Sequence, residues 1–446
     1  MSGSLQDKLD AADDVVSLFR NAPAGFYEFP VPSEHTNWRD EQRAWVESAV
    51  LFDQSFHMTD VHLRGPERIE FLEAIALNKF GNFDELRAIQ LVVCADNGGI
   101  IGDAVAFHEP GRVVNIVGKP SAANYICYAA ETLDYDISIE VDRRVLEDDW
   151  QRSMYRFQIQ GPNAFDILEV VNGGPLPQTR FFEMCEFTIA GRPCRGLRHG
   201  MASAPGLEFW GDYADREAVL AAVTEAGEAH GLRRGGGRVY STAGPQSGWV
   251  GAVLPAVYTG DGDMAAYRRW LPDTSYEATL SIGGSYVSND IEDYYLDPWD
   301  LGYHRFIDWD REFKGSHALA EKRYAGNHRR KVWLRWKPED VLTILGSLLA
   351  PGPTYKYLET PAGHYSSCPR DTVLVDGQSI GLSIYSAYTF AAGGWFSIGI
   401  IEGDAVDFGQ EVTVVWGEPD GGTDKPTVER HEQFEIRATM TESALG

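Results

Sequence analysis

The sequence predicts an α+β protein: two lobes of related construction, then a β-barrel or sandwich. Three observations carry this. The phrase RGPERIEFLEAIAL (64–77) returns as IQGPNAFDILEVVNG (159–173), and both read strand, Gly-Pro, helix. From about residue 328 the texture changes to short β-rich runs: KVWLRW, TVLVDG, IGLSIYSAY, WFSIGII and EVTVVWGE. At 446 residues the chain is too long for one ordinary core, and its 43% hydrophobic content can fill several. The expected division is a first α/β lobe over 1–150 and a second over 151–327 that returns to the first. A barrel follows over 328–440, then a frayed tail over 441–446.

Along the chain, helices are expected over 4–20 and 39–48 (RDEQRAWVES). Residues 51–65, LFDQSFHMTDVHLRG, alternate like a half-buried strand, with Gln54 and His57 at polar positions. Gly65-Pro66 ends that strand and opens a helix, where the missing proline N–H costs little. Ile69, Leu72 and Leu77 fit its apolar face. Strands follow at 89–109 and 113–119, then a helix over SAANYICYAAETL (121–133). In the second lobe, FFEMCEFTIAGRPCRGLRHG (181–200) reads as a hairpin turning at Ala190-Gly191-Arg192-Pro193. Residues 214–230 have helical spacing. The following RRGGGRVY lacks the G-x-x-x-x-G-K-[ST] pattern and is not a P-loop. Gly377–Ile401 carries no charge and is long enough to cross a bilayer. Its Gly, Ser and Tyr content and the central AAGG instead predict two strands and a turn.

Composition limits the partners. There are 66 acidic and 39 basic residues, a formal charge of −27, which repels nucleic acid and anionic membrane. An anionic ligand therefore needs a locally basic pocket. Five cysteines with no C-x-x-C pair suggest a reduced, cytoplasmic chain without a zinc site. The polar N-terminus MSGSLQDKLDAADD is not a signal peptide.

Five phrases occur in order: FDQSFHM leading to RGPER, GGIIGD, QGPNAFDIL, APGLEFWG and GYHRFIDWDREFKG. Together they resemble the glycine-cleavage T-protein (aminomethyltransferase) superfamily. NWRDEQRAWVESAVLFDQ, RHGMASAPGLE, QSGW, LPAVYTGD and SNDIEDYY are most similar to its tetrahydrofolate-dependent aromatic O-demethylases. The resemblance implies two ferredoxin-like lobes and a C-terminal β-barrel around a central folate channel. It also implies transfer of a methyl group from an aryl methyl ether to N5 of tetrahydrofolate.

Phenolate is a poor leaving group, so the chemistry needs an in-line methyl carbon and a donor on the departing oxygen. Histidine titrates near neutrality, which makes His57 the candidate acid or donor. The competing reading is a histidine bonded to a backbone carbonyl. Gln54 could position the ether. Residues i and i+3 of a flat strand face opposite sides, so a β-bulge near Ser55–Phe56 is expected to bring Gln54 and His57 together. The resemblance places Tyr240 as a phenol donor, Glu208 on the pterin amino-pyrimidinone edge and Asp103 facing N5. Trp249 and Val117 would be walls of the folate site, or simply core. Lys119 stands where the vanillate-type enzymes have arginine, and offers a carboxylate only a point charge. Tyr27 and Phe29 stand where those enzymes have two tyrosines. Leu91 and Met201 replace tyrosines usual in T-proteins, which argues against aminomethyl transfer. The expected substrate is a small aromatic methyl ether, syringate or another methoxylated aryl acid. Two alternatives remain open here: demethylation of a sulfonium or betaine, and a non-catalytic folate-binding module.

Overall fold

A computed structural model describes residues 3–146, 152–202, 204–419, 421–422, 425 and 427–445. It has the expected α+β architecture: two sheets carrying helices, then a closed six-stranded barrel.

The repeated Gly-Pro phrase is the structural rhyme of the molecule. In both copies a strand ends one residue before the glycine, two turn residues follow it, and a helix begins (Arg68–Ile75 and Ala164–Asn172). Gly65 and Gly161 have φ of +119° and +126°. A Cβ at either would come within 2.3 Å of the Asp136 carbonyl oxygen or 2.5 Å of that of Ser48. Only glycine fits there.

The five-stranded sheet runs Arg87–Cys94, Ile100–Glu109, Val113–Gly118, Thr59–Arg64, Ser138–Asp142. The six-stranded sheet runs Leu232–Gly235, Ala49–Asp53, Met154–Gln160, Gly206–Asp212, Arg192–Arg198, Met184–Ile189. Strand alternation sorts the latter's residues. Leu51, Tyr155, Phe157, Ile159, Leu207 and Phe209 pack with Ile167, Leu168, Val219 and Val223 of its helices. Phe52, Arg156, Gln158 and Glu208 point the other way. The five-stranded sheet likewise packs Val61, Leu63, Val114 and Ile116 with the helices Arg68–Ile75 and Pro120–Thr132. The two remaining faces meet: Phe107 of one sheet touches Trp210 of the other, ring centroids 5.0 Å apart. The sheet edges are stitched where Ala88 N–H donates to Phe182 and Met184 N–H to Leu86.

Four expectations from the sequence need correction. The continuous helix over 4–20 is two helices, Leu5–Asp10 and Val15–Arg20. The Asp14 carboxylate accepts from the N–H groups of Val16 and Ser17 and starts a new helix. The bulge near Ser55–Phe56 does not occur either. Strand Ala49–Asp53 stops, residues 54–58 form a turn, and Thr59–Arg64 begins in the other sheet. What reads as one strand thus joins two sheets. The barrel region also holds a helix, Pro338–Gly346, hidden among the β-rich runs, with Pro338 in its first turn and Asp340 bound to Arg437. Finally, the expected frayed tail is held down: Arg335 donates to the Ala444 carbonyl, and Ala444 is buried.

The uncharged stretch forms barrel strands Gln378–Thr389 and Gly394–Ile401. Among the described residues no helix is long and apolar enough to cross a membrane.

Gly65→Ala or Gly161→Ala should cost about 1–3 kcal/mol from backbone strain alone. Each should lower the thermal unfolding midpoint, whereas Gly174→Ala, with open space around its Cβ and an ordinary φ, should not.

Candidate active site

The turn at 54–58 places Gln54, His57 and Met58 at the cavity, while Phe56 packs against Tyr213. Its backbone is tied to the six-stranded sheet: Gln54 N–H and Ser55 Oγ both donate to the Arg156 carbonyl, at 2.9 and 3.3 Å. Beside it lies a cavity of about 630 Å³. All ten residues singled out from the sequence line it: Tyr27, Phe29, Gln54, His57, Asp103, Val117, Lys119, Glu208, Tyr240 and Trp249.

One wall is a hydrogen-bonded row. Gln54 Nε2 donates to Gln158 Oε1 and to the Tyr240 hydroxyl oxygen, each at 2.8 Å. The Tyr240 hydroxyl lies 3.2 Å from His57 Nε2. Gln54 and His57 therefore meet through Tyr240, not through a bulge. Phe29 packs edge-on against both partners, its centroid 4.8 Å from that of Tyr240 and 5.4 Å from that of His57. Tyr27 donates its hydroxyl hydrogen to the His57 carbonyl. Burial, with the charges of Arg144 and Lys119, pushes the His57 imidazole down to about 3, so the ring is neutral at pH 7. An imidazolium acid is thus not available there, and donor or acceptor remains. Burial raises the Tyr240 phenol, which keeps its proton.

Next to this row lies a buried carboxylate, since Glu208 faces Gln158 across the paired strands. Glu208, on the central strand Gly206–Asp212, is buried and bound by Arg156 at 2.6 Å, with His199 Nδ1 3.6 Å away. Burial opposes ionisation of Glu208, but His199 and Arg156 outweigh it and hold the carboxyl below its usual range. Arg156 also reaches Asp60 at 3.1 Å, and Arg152 binds Asp60 at 2.5 Å. Asp103 Oδ2 accepts from Gln90 at 2.5 Å and from Trp249 Nε1 and the Tyr303 hydroxyl at 2.9 Å. Its pKa is nonetheless raised, because desolvation exceeds these bonds. Val117 lies in an apolar cluster with Phe107 and Trp210.

Lys119 donates to the Gly251 carbonyl at 2.7 Å, and its ammonium sits 4.2 Å from the Tyr27 ring centroid. No carboxylate pairs with it among the described residues. Desolvation lowers it to about 8.

Sequence reasoning missed Arg156, Gln158, His199 and Tyr303. The alternation of Arg156, Gln158 and Gln160 in MYRFQIQ was the available signal: three polar residues on one face of a buried strand. His199 and Tyr303 left no comparable trace. Among the described residues no group of three or more His, Cys, Asp or Glu could hold a metal ion.

Comparison with known proteins sets this geometry in context. Residues 19–243 match the GCVT N-terminal domain. The chain is 42% identical to syringate O-demethylase of a Sphingobium species, over 99% of this chain and 95% of that one. It is 28% identical to sesamin methylene transferase of a Sinomonas species, over 91% of each. The structure of glycine cleavage system aminomethyltransferase T from Bartonella henselae superposes with a TM-score of 0.60. That likeness covers 94% of this chain and 93% of the other at 15% identity, which speaks to fold alone. With half its length matched to the family's domain and a relative at 42% identity along nearly all of it, the chain belongs to the GCVT, or aminomethyltransferase, family.

Proposed function

We propose that this protein is a tetrahydrofolate-dependent O-demethylase that takes a methyl group from a methoxylated aromatic acid of the syringate type. The observation that carries the reading is one cavity lined both by a row of neutral donors and by an ionised, buried carboxylate. The 42% identity to syringate O-demethylase supports the substrate class.

The residues suit the cofactor. A carboxylate offers about four acceptor sites. One Glu208 oxygen takes Arg156, and the other has only His199 at 3.6 Å. Capacity is left for the paired N–H groups of a pterin edge. Asp103 and Trp249 would border its N5 side, with Val117 as an apolar wall. When bound, tetrahydrofolate supplies the N5 amine that accepts the methyl group.

The chain's own residues handle the leaving oxygen. Gln54 donates into the Tyr240 oxygen, and the Nε2–H tautomer of His57 can donate there too. Tyr240 then has its own hydrogen free for the ether oxygen. As the C–O bond breaks, the hydrogen bond from Tyr240, which keeps its proton, strengthens onto the forming phenolate. The two donors behind Tyr240 polarise its O–H toward that oxygen. Phe29 and Tyr27 hold the imidazole in place. Lys119 would meet the substrate carboxylate. An unpaired cation in the cavity wall disfavours a sulfonium or betaine substrate.

Tyr240→Phe should lower kcat by about 10²–10⁴-fold, and His57→Ala should do likewise, in a stopped assay of phenol and 5-methyltetrahydrofolate. Folate affinity in both should stay within a few-fold; a parallel loss would move these residues to the folate side. Glu208→Ala should weaken folate binding at least tenfold by titration calorimetry, and unchanged affinity would remove it from the pterin site. Lys119 loses its charge as pH rises through about 8. KM for the aryl acid should therefore climb about tenfold between pH 7 and pH 9. Lys119→Arg should flatten that rise, since guanidinium stays charged.

A further inference from the structure

The barrel sends into the cavity a donor that the chemistry above leaves unused. Tyr385, in strand Gln378–Thr389, lines the cavity. Its φ is +52°, a left-handed conformation in which a bulky residue is strained. Among the described non-glycine residues with positive φ, it is the one inside a strand. The cause is a bulge: Ile384 pairs with Ile398 and Ala387 with Phe396, so Tyr385 and Ser386 together oppose Ser397. The neighbouring segment pins it, with Gly363 N–H donating to the Ser386 carbonyl at 3.2 Å and Tyr388 N–H to that of Pro361 at 2.7 Å. Ile384 and Tyr385 consequently pack into one cluster with Val250 and Ile398, where unbroken alternation would have parted them. At a position where glycine is the easy choice, the strain is kept and a tyrosine is aimed into the cavity.

The Tyr385 ring touches those of Phe26 and His364, with centroids 5.7 and 4.8 Å away, and burial keeps the phenol protonated. The hydroxyl hydrogen-bonds to none of the described residues, yet it is not sealed in protein. It stands 3.0 Å from where a Cβ of Gly251 would be, and the Gly251 carbonyl accepts from Lys119 at 2.7 Å. The Tyr385 hydroxyl and the Lys119 ammonium thus flank one glycine. One is a neutral donor and the other a cation, and neither is bound by a carboxylate among the described residues. A planar carboxylate has two oxygens and takes two donors at once. Tyr27 is not the second donor, since its hydroxyl hydrogen goes to the His57 carbonyl. We propose that Tyr385 donates to the carboxylate of the aryl acid beside Lys119, and so selects aromatic acids over neutral methoxyarenes; this rests on the aryl-acid reading above.

A hydrogen bond to a charged group is stronger than one between neutral groups, so the hydroxyl should contribute about tenfold in Kd or more. The test is calorimetric binding of syringate, and of syringol, the same ring without its carboxylate, to the full chain and to its Tyr385→Phe variant. The substitution should weaken syringate binding at least about tenfold and leave syringol and tetrahydrofolate within about threefold. In turnover the loss should fall on KM, with kcat held. The thermal unfolding midpoint should stay where it is, because no bond within the chain is lost. Unchanged syringate affinity overturns the proposal and leaves the aryl-acid reading standing. Equal losses for syringate and syringol also overturn it, since the hydroxyl would then serve the ring or its methoxy groups. A loss of folate affinity would assign Tyr385 to the cofactor, and a fall in the midpoint would make its hydroxyl structural; either result overturns the proposal. If the wild type binds syringate no more tightly than syringol, the aryl-acid reading itself fails, and the role of Tyr385 with it.

Discussion

The structure depends on one buried ion chain. Arg156 of the six-stranded sheet reaches Asp60 of the five-stranded sheet and Glu208 on its own neighbouring strand, and Arg152 closes the far side of Asp60. These are the faces that carry no helices. Two sheets presenting Arg, Asp and Glu to each other cannot collapse into a dry interface. Each charge must find its partner at a set distance, and the space left beside them is the cavity. Such a chain is weak as a source of stability, because desolvation consumes much of its attraction. Its effect is geometric: it orients Glu208 and holds the carboxylate ionised while buried.

The electrostatics inside the cavity run opposite to those of the chain as a whole. A protein with excess acid keeps Lys119, Arg156 and Lys331 in the cavity wall, and the charges of Lys119 and Arg156 add to burial in holding His57 neutral. A neutral imidazole beside a protonated Tyr240 makes a row of dipoles in place of an ion pair. Such a row can respond to charge appearing on a departing oxygen without first paying to bury a charge of its own.

Much of the fold was legible in the sequence. The Gly-Pro phrase marked two related strand-to-helix junctions because both need a backbone conformation that only glycine adopts. The hairpin at Ala190–Gly191, the helix Pro120–Thr132 and the paired barrel strands were read from turn residues and periodicity, which are local properties. The failures were also local in kind. Alternation in LFDQSFHMTDVHLRG is the same whether a strand continues or passes to another sheet. A β-rich composition likewise hid the short helix Pro338–Gly346.

The sequence by itself determined the residue types that line the cavity: an amide, an imidazole, phenols and carboxylates. These follow from motifs whose spacing along the chain is short. Which of them touch was decided only by the tertiary structure. Gln54 and Tyr240 lie 186 residues apart, and Asp103 and Tyr303 lie 200 apart. Arg156 acquires its meaning only when Asp60 arrives from the other sheet. Local pattern cannot encode such pairings, since they arise from how two sheet faces stack. The same stacking removes water from His57 and leaves it uncharged.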